Sequence, residues 1–371
     1  MKITGVQAIT AAPRWVFVKT ETNDGVVGWG EALGDKTGAV VAAIEELKPI
    51  LIGQDPQRIE QLWQLMYRGA FWRGGPILNA AISGVEISLW DILGQRLGVP
   101  VYQLMGGAVR DKVRFYCHIG SPDGTVKGLV ASAERARERG FTAVKFGIVE
   151  QLPLMAGAAE VKKAVGLVRG FREAMGDDLD FMVDLHGRVS PAMAKILCQE
   201  LAPYYPLFLE EPVLPENVEA LADVARHTTA PIATGERLFT RFGFREVLEK
   251  HAAAVLQPDL CICGGIAEGR KIAAMAEAYF VAVAPHNPYG PITTAASLQL
   301  DACTPNFLIQ EFVSLGEELF EEPFVMKDGY VDVPKRPGLG IRVDEKKLAA
   351  RAYGGHTVPT WYHKDGSLAD W

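Results

Sequence analysis

At 371 residues, 49% of them hydrophobic, the chain can bury a large core in about two domains. A net charge of −7 with no block of Lys or Arg argues against nucleic acid or an anionic membrane as partner and leaves small molecules. The N-terminus lacks the continuous apolar core of a signal peptide, and no apolar run approaches the roughly 20 residues of a membrane span. Five scattered cysteines (117, 198, 261, 263 and 303) are odd in number and read as reduced thiols, so a cytoplasmic protein is expected. Cys261-Ile-Cys263 has the wrong spacing for a zinc knuckle.

The first hundred residues read as an α+β unit. Strand patterns over 2–8, 15–21 and 26–29 surround a turn at Asn23-Asp24-Gly25. Helical periodicity follows over Thr37–Leu51, Pro56–Arg68 and Ile77–Leu97, where Gly98-Val99-Pro100 stops it. From Val113 the texture changes to short apolar runs separated by helical stretches: 113–117, 142–146, 179–184, 207–210, 231–234, 254–257, 280–283 and 307–310. Eight such units predict parallel strands covered on both faces and closed into a (β/α)8 barrel. An open doubly wound sheet should carry a Gly-rich phosphate loop, and none is visible. After the eighth run, 328–333 and 337–343 look like strands returning to the N-terminal unit. The expected organisation is a capping domain over 1–108, a barrel over 109–315, and a C-terminal segment, 316–371, that completes the cap over the barrel mouth.

In a barrel, chemistry sits at the C-terminal ends of the strands. Here the third end carries Asp184 and His186, the fourth Glu210-Glu211, the fifth Glu236, the sixth Gln257 and Asp259, the seventh His286, and the eighth Gln310-Glu311. Asp184, Glu210 and Glu236 recur every 26 residues, which brings three carboxylates to neighbouring positions. Bare carboxylates so crowded repel, and a hard divalent cation removes that cost; all-oxygen ligands favour Mg2+ over zinc. Glu211, adjacent to Glu210, should point to the opposite face as a supporting acid. His186 lies two residues past Asp184 and should face inward above the metal. Across the mouth, an inward Asp259 would fix the tautomer of His286 and raise its basicity, a general-base arrangement. His118, at the tip of the first strand, is open between substrate contact and local capping.

The stretches Val183-Asp-Leu-His-Gly-Arg188, Phe208-Leu-Glu-Glu-Pro212, Thr234-Gly-Glu-Arg237, Gln257-Pro-Asp259, Pro285-His-Asn-Pro288 and Gln310-Glu311 resemble the enolase superfamily and its mandelate-racemase-like acid-sugar dehydratases. The resemblance extends to Pro13-Arg-Trp15, the 25–31 stretch, Tyr67-Arg68 and Arg73–Ile77. It implies Mg2+ on Asp184, Glu210 and Glu236, with His286 and Asp259 removing the proton next to a substrate carboxylate. It further implies that His186 protonates a departing 3-hydroxyl and that Glu311 hydrogen-bonds the carboxylate or developing enediolate. A Lys or His base with Mg2+ is the known enolase-superfamily pattern. The substrate so implied is an acid sugar, D-galactonate first, with gluconate, mannonate, racemisation or epimerisation, and noncatalytic sugar-acid binding as alternatives. Where many racemases of the superfamily carry Lys-x-Lys, this chain has Lys145-Phe146-Gly147, which favours one-base dehydration. Lys145 is open between a substrate carboxylate and a structural ion pair. Arg14, Trp15, Trp72 and Arg73 are candidate lid contacts from the cap. By analogy with the family, a homo-oligomer is expected.

Overall fold

The computed structural model describes residues 1–148, 152–153, 155–363 and 365–370. Its first part is an antiparallel sheet of β1 (Ile3–Ala11), β2 (Trp15–Thr22) and β3 (Val27–Ala32), backed by α1 (Thr37–Leu51), α2 (Ile59–Arg68) and α3 (Gly75–Leu97). With 23 residues and few charges, α3 has the length and apolarity of a membrane span, contrary to the reading of the sequence, but it is largely buried inside the protein. Glycine explains how it fits. A Cβ at Gly28 or Gly30 of β3 would run into the carbonyl oxygens of Ser88 and Gly84, so helix and strand touch backbone to backbone.

A short α4 (Val101–Leu104) leads into the barrel. Strand and helix then alternate as β4 (Lys112–His118), α5 (Val126–Glu138), β5 (Ala143–Gly147), α6 (Ala158–Met175), β6 (Asp180–Asp184), α7 (Pro191–Leu201), β7 (Leu209–Glu210) and α8 (Val218–Arg226). The series continues through β8 (Ile232–Thr234), α9 (Thr240–Glu249), β9 (Val255–Leu256), α10 (Ile266–Ala278), β10 (Ala282–Val283), α11 (Pro291–Cys303) and β11 (Gln310–Phe312). Neighbours pair in parallel, β11 pairs with β4, and a parallel bridge from Val283 to Phe307 closes the ring. The barrel expected from the sequence is therefore what forms, with one difference. Among the described residues seven helices lie between the strands and no barrel helix follows β11.

Alternation along each strand sorts the side chains. Phe115, Val144, Phe181 and Val183 pack outward against the helices. Tyr116, Ala143, Met182, Phe208, Ala233, Val255, Ala284 and Ile309, one from each strand or its immediate flank, form a separate apolar layer inside the barrel.

The C-terminal segment divides in two, unlike the single return expected from sequence. A hairpin of β12 (Met326–Lys327) and β13 (Tyr330–Asp332) pairs antiparallel with the beginning of β4, at the end of the barrel away from the mouth. The 337–343 stretch forms no strand; it docks through Val101 N–H to Gly338 O and Leu339 N–H to Asp91 Oδ1. Beyond it, α12 (Glu345–Ala349) reaches the cap, where Glu345 pairs with Lys19 at 2.8 Å and the Arg351 guanidinium lies 5.0 Å from the Trp15 ring. A last hairpin, β14 (Trp361–Tyr362) with β15 (Leu368–Ala369), sets Trp361 under Arg188, just past the end of β6.

Replacing Gly30 with Ala should push α3 off β3. The expected cost is about 1–3 kcal/mol, typical of overpacking, seen as a lower thermal midpoint; an unchanged midpoint would mean that this seam can open without cost.

Candidate active site

Two residues beyond each member of the inner apolar layer stand His118, Lys145, Asp184, Glu210, Gly235, Gln257, His286 and Glu311. The period of two thus lifts a polar ring directly above an apolar floor. Register sets the heights: Lys145 is opposite His118, and Asp184 is opposite Glu210. Glu210 pairs in register with Ala233, so Glu236 lies three residues past that level and comes from the loop beyond β8. Gly235, at φ +143°, makes the turn that carries it there, and a Cβ at that position would strike Gln257 and Phe244.

Five carboxylates of this region, Asp184, Glu210, Glu211, Asp259 and Glu311, are buried, and Glu236 is 12% exposed. Lys145 is the buried ammonium among them. Its Nζ lies 2.7 Å from Glu210 Oε1, 3.0 Å from Glu311 Oε1 and 3.9 Å from Asp184 Oδ2. Of the two roles open in the sequence, the ion pair is the one that forms, for a physical reason: these acids are too deep to be left without a counter-charge. Burial raises the pKa of Asp184, Glu210 and Glu236, with Lys145 opposing it for the first two and His286 for the third. Glu211 turns away from this group, as strand alternation requires, and accepts hydrogen bonds from Thr234 Oγ1 and Gly235 N–H.

The two histidines come from the third and seventh of eight strands and so face each other across the mouth. His286 Nδ1 is 2.8 Å from Asp259 Oδ2, and its Nε2 is 3.1 Å from Glu236 Oε2. Burial alone would lower its pKa, but Glu236, Glu311 and Asp259 outweigh burial and raise it to about 10. His186 Nε2 lies 3.1 Å from Asp184 Oδ2. Burial, aided by Arg188, lowers its pKa to about 4. One imidazole thus holds a proton firmly and the other sheds it.

Glu311 is an acceptor in this arrangement. Despite burial, Lys145 and His286 pull its pKa down to about 2, and it accepts from Lys145 and from Asn287 N–H. It can donate to a substrate only after taking up a proton.

The four cap residues stand in two settings. Trp15 is buried, and its indole N–H donates to Tyr289 O at 2.9 Å; Arg14 pairs with Asp35 and donates to Pro288 O at 3.1 Å. Both grip the loop behind His286. Trp72 is 80% exposed and edge-on to Phe71, turned to solvent, and Arg73 is exposed too. His118 stands exposed at the tip of β4 and makes no side-chain hydrogen bond among the described residues. Sequence reasoning placed Gln257 at a strand end and Asn287 beside His286 but gave neither a role. Gln257 donates to Glu210 Oε2 at 2.8 Å, and the signal for it was its place two residues above Val255.

Among the described residues, no three acid, histidine or cysteine side chains converge closely enough to hold a metal as they stand. Their oxygens are turned onto Lys145, His186 and His286 instead. The chemistry of the group nevertheless fits a hard cation. It is all oxygen, buried and short of positive charge, and Gln257, whose amide N–H reaches Glu210, keeps a buried Oε1 with no donor.

Known proteins match over the whole architecture. The N-terminal domain profile of mandelate racemase / muconate lactonizing enzyme covers residues 4–106, and the enolase C-terminal domain-like profile covers 128–347. D-galactonate dehydratases of Cronobacter sakazakii and Ralstonia pickettii are 47% and 46% identical to this chain, each alignment covering 100% of both proteins. The crystal structure of a mandelate racemase/muconate lactonizing enzyme from Sulfitobacter superposes with a TM-score of 0.91 at 35% identity, over 98% of this chain and 100% of that one. By profile, identity and fold, the chain belongs to the mandelate racemase / muconate lactonizing enzyme family of the enolase superfamily.

Proposed function

We propose that this protein is a Mg2+-dependent hydro-lyase that dehydrates an acid sugar, D-galactonate, to its 2-keto-3-deoxy product. The observation that carries the reading is a pair of unlike imidazoles at opposite sides of one carboxylate group, His286 held between Asp259 and Glu236 and His186 beside Asp184. The curated relatives carry the corresponding name along their entire length.

Asp184, Glu210 and Glu236 would hold the Mg2+, which when bound supplies Lewis-acid stabilisation of the charge that builds on the substrate carboxylate. His286 removes the C2 proton through Nε2, the nitrogen not engaged by Asp259. To do so it must be neutral, and Glu236 is foremost among the carboxylates that keep it protonated. Engaging Glu236 elsewhere frees the ring. His186 delivers a proton to the departing 3-hydroxyl, and an anionic substrate beside it favours the protonated ring that burial disfavours. Glu311, held by Lys145, takes up a proton before it hydrogen-bonds the carboxylate end of the enediolate. Racemisation would need a second base facing His286. Lys145 is buried in ion pairs with Glu210 and Glu311, and His186, which does face it, is assigned to the leaving hydroxyl, an assignment that elimination by the wild type checks.

Two measurements test this reading. With D-galactonate, gluconate and mannonate supplied in D2O with Mg2+, the wild type should form a 2-keto acid from galactonate, whereas His186→Asn should lose about 10² to 10⁴ in elimination rate while still exchanging the C2 proton. Normal dehydration by that variant would remove His186 from the acid role. In the metal-free protein, the imidazole resonance absent from a His286→Asn variant should titrate near pH 10. Adding Mg2+ should lower that value, because Glu236 is diverted; no change on addition would place the metal elsewhere.

A further inference from the structure

Asp259 orients His286, and what orients Asp259 lies outside the barrel mouth. Its second oxygen, Oδ1, accepts the backbone N–H of Cys261 at 2.7 Å. The Cys261 thiol meets Thr293 Oγ1 at 2.8 Å, either atom serving as donor, and Thr293 N–H donates to Glu31 Oε2 at 2.9 Å. Glu31 belongs to β3 of the cap, while Thr293 lies in the first turn of α11. A continuous buried polar chain therefore runs from the capping sheet to the imidazole: Glu31, Thr293, Cys261, Asp259, His286.

Resting on the dehydratase reading above, we propose that Thr293 and Cys261 are positioning residues that pass the seating of the cap, through Glu31, to the Asp259–His286 pair. Neither touches the substrate in that reading. Three observations carry the inference. Every member before His286 is at least nine-tenths buried, so water does not compete for these bonds. The Asp259 carboxylate has its two oxygens committed to two partners, His286 and Cys261, so a shift of Cys261 rotates the plane that holds the ring. The far end is fixed as well: Gly290 leaves no room for a Cβ between Trp15 and Glu31, and Trp15 and Arg14 bind the carbonyls of Tyr289 and Pro288 on the same loop. The cap thus holds the base twice, by its backbone and through its carboxylate partner. The link also gives Cys261 a role as a small polar contact, since burial raises its thiol well above the ordinary range and keeps it protonated.

The experiment compares Thr293→Val and Thr293→Ser in the full-length enzyme with Mg2+ and D-galactonate, following C2 exchange and dehydration per folded molecule. Thr293→Val keeps the backbone bond to Glu31 but loses the hydroxyl. Its kcat for both steps should fall about tenfold with KM changed by less than about twofold, as expected for a misplaced base. Thr293→Ser should restore kcat, and the Nδ1–H resonance of His286 should shift in the Val variant alone. Should the Val variant fail to fold, Cys261→Ala against Cys261→Ser makes the same comparison. Wild-type kcat in the hydroxyl-deleted or thiol-deleted variant, or no recovery in the serine variants, overturns the inference. A wild type that neither exchanges nor dehydrates overturns the dehydratase reading along with it, and so is told apart from a failure of the relay alone.

Discussion

Carboxylates crowded where water is scarce repel one another, and much of this molecule is organised by that repulsion. Lys145 answers part of it by contacting Glu210 and Glu311 and approaching Asp184. Protonated His286 answers another part, with Asp259 and Glu236 on its two nitrogens. Removing one partner from such a buried group leaves an uncompensated charge, typically costing about 3–5 kcal/mol. The same excess of negative charge that makes the mouth costly to fold makes it receptive to a divalent cation. It also sets the two histidines apart, since one lies among acids while the other is desolvated near Arg188.

Acids do a different job where the cap meets the barrel. Glu86 of α3 accepts N–H groups from Ile266 and Ala267 at the start of α10, and Glu31 of β3 accepts from Thr293 at the start of α11. Asp91 accepts from Trp29 and Leu339. Burial raises the pKa of Glu31 and Glu86 to about 8, against the pull of those backbone donors. Helix N-termini leave donors unsatisfied, and here the neighbouring domain supplies the acceptors. The loops so gripped lead out of the strands that carry Asp259 and His286, which makes the cap a part of the machinery that orients them.

Much of this was legible in the sequence because the barrel is periodic. Apolar runs located all eight strands, and the period of two predicted that Asp184 and His186 would share a face. The 26-residue spacing was a weaker guide than it looked. It places Asp184 opposite Glu210 in register, but Glu236 arrives by a glycine turn beyond the strand, which spacing cannot encode. The Asp259–His286 contact was legible because both ends belong to adjacent strands. The carbonyl bonds of Trp15 and Arg14 were not legible, because arginine and tryptophan in a loop have the same signature whether they touch a ligand or a backbone carbonyl. The split of the C-terminal segment was invisible too, as two short runs of similar texture dock differently, one pairing with the start of β4 and the other bonding Val101 and Asp91 without forming a strand.

That split has a consequence for how the protein is made. The capping sheet is made about 300 residues before the residues that pin it, Glu345 on Lys19, Arg351 beside Trp15 and Tyr353 on Thr37. β4 likewise waits for β11 to close the ring and for β13 to cover its beginning. Such distant contacts slow folding, because the entropy of closing long loops is spent before the contacts reward it. A nascent chain therefore carries an open barrel until β11 is made and an unanchored cap until α12 follows. A ribosome that stalls short of β11 releases a polypeptide with an exposed sheet edge, a substrate for chaperones and proteases instead of sugars.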